Sequence, residues 1–80
     1  PPSGWLVNRR DDGLLITACN HEPDEWRGRL IVPDMATADG QVRDLWNDRA
    51  VVTQPEGKNL SVWLVLPPFS MAVLHVPSRP

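Results

Sequence analysis

The sequence predicts an all-β fold, a small antiparallel β-sandwich of about seven short strands. Two observations lead there. Short extended segments recur at roughly 8–12-residue spacing, with turn chemistry between them. No stretch sustains the 3.6-residue apolar period of an amphipathic helix, so helix should be nearly absent and a βαβ fold is excluded.

The elements follow in chain order. Trp5 to Arg10 is a short extended segment. Asp11-Asp12-Gly13 follows it, and Asp-Gly is a hairpin signal because Gly tolerates positive φ. Leu14 to Asn20 is the second strand, with β-branched Ile16 and Thr17 inside it. His21 to Arg27 is polar, carries Pro23 and reads as a loop. Gly28 to Val32 is a third strand, ended by Pro33. Met35-Ala36-Thr37-Ala38 allows one helical turn, which would be marginal alone.

Gln41 to Trp46 reads as the fourth strand, with Val42, Asp44 and Trp46 on one face. Asn47-Asp48 gives a tight turn, Arg49 to Thr53 a fifth strand, and Gln54 to Asn59 a loop. Leu60 to Leu66 is the most hydrophobic strand. It is apolar on both faces, the pattern of a central strand covered on both sides. Pro67-Pro68 breaks it, and Ser70 to Val76 is the last strand.

Length and composition close off several functions. A chain of 80 residues is one small domain with a thin core. One Cys makes no internal disulfide, and one Cys with two His is too few for a structural zinc site. A formal net charge of −2 is a poor electrostatic footprint for nucleic acid. No apolar run reaches the ~18–20 residues of a membrane-spanning helix. Pro1-Pro2-Ser3-Gly4 carries no signal-peptide pattern. Residues 1–4 are expected to be a linker remnant cut from a larger polypeptide, 5–77 the sandwich, and 78–80 a tail.

Candidates for chemistry are few. The densest polar cluster is Asn20-His21-Glu22-Pro23-Asp24-Glu25. Its residues are consecutive in a loop, whereas catalysis needs groups held by a rigid scaffold, so a solvated loop is expected. His75 lies among apolar residues of the last strand and reads as a core-edge histidine with one satisfied nitrogen. Cys19 and His21 would share a strand face, the only trace of a nucleophilic pair. The five glycines are far apart, so no phosphate loop exists. No catalytic, cofactor-binding or metal-binding residue is assigned.

Four Trp in 80 residues is a high count. Trp46 and Trp63 fall inside strands and are expected to be buried. Trp5 and Trp26, at a strand start and in a loop, are the candidates for a domain interface or for stacking on sugar rings.

Three passages stand out in order along the chain. One is an apolar strand leading into Asn20-His21, then a polar loop and Arg29-Leu30-Ile31-Val32-Pro33. Another is Val42-Arg43-Asp44-Leu45-Trp46-Asn47-Asp48. The last is Leu64-Val65-Leu66-Pro67-Pro68-Phe69-Ser70-Met71-Ala72-Val73-Leu74. Together they resemble the small C-terminal β-sandwich that follows the catalytic (β/α)8 barrel in many glycoside hydrolases. The resemblance implies a non-catalytic accessory domain whose partner is the catalytic barrel. It assigns no catalytic residue here, because the acids of that group lie on the barrel. A carbohydrate-binding module and a stand-alone interaction sandwich are the other two readings. An isolated sandwich of this size without a disulfide should expose an apolar patch at Trp5 or Trp26.

Overall fold

The structure, a computed structural model, describes residues 2–35 and 41–77. Among these residues there are eight strands and no helix. They are β1 (Gly4–Arg10), β2 (Gly13–Asn20), β3 (Trp26–Val32), β4 (Arg43–Asp44), β5 (Arg49–Ala50), β6 (Thr53–Glu56), β7 (Asn59–Leu66) and β8 (Ser70–Pro77). Every pairing is antiparallel. One sheet has five strands in the order β1-β2-β8-β4-β5, and the other has three in the order β3-β7-β6. The helical turn expected around Ala36 lies outside the described residues.

Period-2 alternation builds the core. Leu14, Ile16 and Ala18 of β2 and Ala72, Leu74 and Val76 of β8 point inward from the larger sheet. Leu30 and Val32 of β3 and Leu60, Val62, Leu64 and Leu66 of β7 meet them from the smaller sheet. Val42 and Val51 complete the cluster. Fully burying a Val, Leu or Ile side chain stabilises by about 1.5–3 kcal/mol, so these alternating positions specify the register of both sheets.

Trp26 begins β3 and does not lie in a loop. Its ring packs against the core cluster. A Cβ at Gly28 would lie 2.9 Å from two atoms of that ring, so the glycine leaves the space the indole occupies. Trp26 is therefore a half-buried packing residue, contrary to the exposure expected from its polar neighbours.

The middle of the chain departs most from expectation. The fourth strand shrinks to Arg43–Asp44. Asp44 accepts hydrogen bonds from the Trp46 and Asn47 N–H groups, which bends the chain out of the extended form. The fifth strand is divided. Arg49–Ala50 pairs with β4, and the chain then crosses between the sheets at Val51 and Val52. The Val51 N–H donates to the Val42 carbonyl on one side of the crossing. On the other side, the Trp63 N–H donates to the Val52 carbonyl. Thr53–Glu56 forms β6, taking the end of the expected fifth strand and the start of the expected 54–59 loop, and a two-residue turn at Gly57-Lys58 joins it to β7. Gly57 has φ of 61°, which a Gly-X hairpin turn requires.

The two sheets are unequal in width. Trp5 and Val7 of β1 stand opposite Ala18 and Ile16 and so face the interior. They remain 41% and 45% exposed, because the smaller sheet stops at β3 and does not cover β1.

Candidate functional site

Two buried polar side chains organise one end of the sandwich. Asn20 ends β2, where the chain leaves the larger sheet for the smaller one. Its Nδ2 donates to the carbonyls of Asp24 at 2.8 Å, Leu66 at 3.1 Å and Pro67 at 3.1 Å. An amide NH2 has two protons, so these three contacts share them. Its Oδ1 accepts from the Glu22 N–H at 3.0 Å. Asn20 thus ties the 21–25 loop to the Pro67-Pro68 crossing. The Phe69 N–H donates to the Glu22 carbonyl across the same junction.

Asp44 is fully buried and accepts from five donors. Its Oδ1 takes the N–H groups of Trp46, Asn47 and Val73, and its Oδ2 takes Asn47 Nδ2 and Arg49 Nε. Burial alone would push the Asp44 carboxyl up. The hydrogen bonds from the Asn47 side chain, the Val73 and Asn47 backbone and the Arg49 side chain outweigh it and hold the pKa below the usual carboxylate range. Asn47 Nδ2 also reaches the Met71 carbonyl at 3.0 Å, which locks the turn onto β8.

These two junctions frame a cavity of about 530 Å³ lined by Cys19, Asn20, His21, Trp46, Asn47, Phe69, Ser70 and Met71. No Asp, Glu, Lys or Arg lines it. Trp46 is 63% and Phe69 72% exposed. Phe69 also adopts φ of 53°, a left-handed conformation that costs a bulky residue roughly 1–2 kcal/mol. An apolar ring that is exposed and carried on strained backbone gives the chain by itself no return. Such outliers concentrate where a surface meets something else.

Trp46 corrects the sequence expectation that it is buried, and the Asp44-centred turn is the reason. Trp63 corrects it as well. It is 47% exposed on the outer face of the smaller sheet, with the Arg29 guanidinium 5.7 Å over its ring. Glu56 holds that guanidinium by an ion pair at 2.6 Å and also accepts a hydrogen bond from Ser61. Among the described residues no second sheet covers the outer face of β7, so the exposed Trp63 there reflects strand propensity more than burial.

The remaining candidates fall in different places. Cys19 and His21 do line the same cavity, yet His21 lies beyond the end of β2 and no carboxylate reaches them there. His75 lies half-buried on the outer face of β8 with its Nε2 3.3 Å from Asp12, in ion-pair range but without hydrogen-bond alignment. Glu22, Asp24 and Glu25 are exposed, and Glu25 pairs with Arg27. Among the described residues no cluster of His, Cys, Asp and Glu could hold a metal ion. Trp5, Trp26, Trp46 and Trp63 line four different cavities and form no row.

Phe69 carries the weakest sequence signal of the residues around this cavity. Its signal was the Pro67-Pro68 pair, which forces a crossing and leaves the following residue at a bend. The arrangement is two exposed rings on turns fixed by buried hydrogen bonds, around an uncharged hollow. Comparison of the chain with protein-family models, with curated proteins and with solved structures gave no match.

Proposed function

We propose that this chain is the non-catalytic C-terminal β-sandwich of a glycoside hydrolase. It packs against the catalytic barrel through the end that carries Trp46 and Phe69. The observation that supports this is convergence. Asn20-His21, Trp46-Asn47 and Phe69 to Met71 come from the three passages that resemble such domains, and all three meet at one cavity. The strained, exposed Phe69 belongs to a surface that a neighbouring domain covers. Burying such a ring returns about 1.5–3 kcal/mol, enough to offset the backbone cost.

The outer face of the larger sheet extends this surface. Leu15, Thr17 and Cys19 of β2 and Met71, Val73 and His75 of β8 are half-buried there. Leu6 and Leu45 beside them are exposed. Apolar residues on both faces of β8 suit a strand with a second layer outside this chain.

The test starts from the gene. The polypeptide encoded ahead of Pro1 should contain a barrel-length segment of roughly 250 residues. In that protein, Trp46→Ala combined with Phe69→Ala should split a single thermal unfolding transition into two. A reading frame with no such segment, or an unfolding profile untouched by the double substitution, would count against docking. Isothermal titration against an oligosaccharide panel separates the rival reading. Saturable heat that Trp46→Ala abolishes would make the chain a carbohydrate-binding module.

A further inference from the structure

The second apolar opening of the molecule lies along β1. Trp5, Val7, Arg9, Leu14, Ile16, Ile31 and neighbouring residues line a cavity of about 450 Å³ between the edges of the two sheets. Among the described residues no strand pairs with the outer side of β1. We propose that this edge binds β1 of a second copy of the chain, antiparallel, across a two-fold axis at Val7.

The other sheet edges are protected and β1 is not. β5 is two residues long. β6 carries Pro55, which cannot donate to a ladder. β3 presents Arg27 and Arg29, held by Glu25 and Glu56. These are the usual devices against edge pairing. β1 is seven residues long, has no proline, carries Trp5-Leu6-Val7 in its first half and has its two arginines, Arg9 and Arg10, at its far end.

The sequence of β1 is complementary to itself in that register. With Val7 opposite Val7, Trp5 faces Arg9 of the other copy, Leu6 faces Asn8 and Gly4 faces Arg10. No like charges stand opposite each other. Trp5 and Arg9 both belong to the inward face, so a guanidinium meets an indole ring on each side of the axis. The two larger sheets become one continuous sheet, and the two half-open cavities meet across the axis. A pairing of this length, about 24 Å, gives a weak, concentration-dependent dimer. The β1 edge shares no residue with the end that carries Trp46 and Phe69, so pairing there is independent of docking on a barrel.

Sedimentation velocity across a concentration series should show the mass of the chain rise towards twice the monomer value. Val7→Lys places two ammonium groups at the axis and should keep the chain monomeric, as should Val7→Glu. An equimolar mixture of the two variants should dimerise again, which only a symmetric axis at this residue explains. Val52→Lys, an exposed site away from β1, should dimerise like the unaltered chain. Amide exchange on the unaltered chain gives a readout that does not depend on the variants folding. Exchange in β1 should slow as concentration rises. A monomer at all concentrations, a mixture of folded variants that stays monomeric, or β1 exchange independent of concentration would overturn the proposal.

Discussion

Asn20 and Asp44 are polar residues in a core of Leu, Val, Ile and Ala, and each is retained by the hydrogen bonds it completes. Removing Asn20 leaves the Leu66, Pro67 and Asp24 carbonyls short of a donor. Asn20→Ala should cost about 2–3 kcal/mol, measured by denaturant unfolding. Asp44→Ala should cost more, about 3–5 kcal/mol, because three backbone N–H groups and Arg49 lose one anion. Asp44 also sets a pH dependence. Its folded pKa lies below the unfolded value of about 3.9, so its contribution is complete above that value. It is lost as pH falls through the folded pKa. Unfolding midpoints should therefore drop on acidification below about pH 4, and Asp44→Asn should flatten that drop. Phe69→Asn should leave the isolated chain as stable or up to about 1 kcal/mol more stable, since Asn tolerates positive φ. A loss of several kcal/mol would mean that the ring packs within the chain. Neither Asp44's burial nor Phe69's positive φ was legible in the sequence: Val73, far along the chain, closes over Asp44, and Pro67-Pro68 marks a bend at Phe69 without setting its φ.

At the scale of elements, legibility follows how local the determinants are. The β1–β2 hairpin announced itself through Asp11-Asp12-Gly13, and β7 and β8 through long apolar runs. Arg49 to Thr53 misled because one extended segment serves two sheets. Extended residues look alike whether or not the chain changes layer within them. Trp46 misled for a related reason: alternation assigns a face only while the strand continues, and the Asp44 turn ends it. Gly28 offers a direct test of the β3 packing. Gly28→Ala should displace the Trp26 ring, cost about 1–3 kcal/mol and shift the Trp26 indole N–H resonance. An unchanged resonance would show that the ring does not depend on that space.

At the scale of the molecule, the all-β sandwich was readable because strand spacing and the lack of a helical period are global properties. The mismatch between a five-stranded and a three-stranded sheet was not, because it depends on which strands pair. That mismatch leaves β1 half covered, while the corner crossings place Trp46 and Phe69 at one end. The molecule thus carries two separate exposed apolar surfaces.

The position of β8 has a consequence for biosynthesis. It is the last of the described strands, yet it sits in the middle of the larger sheet, between β2 and β4. Residues 13–20 find their partner only at 70–77. While the chain is being translated, β2 has only β1 beside it, and the core face of both stays open. Folding of this unit therefore waits until β8 has left the ribosome, as expected for a topology built on long-range pairing. A nascent chain stopped before Ser70 should remain protease-sensitive, and one extended past Pro77 by enough residues to clear the exit tunnel should become resistant.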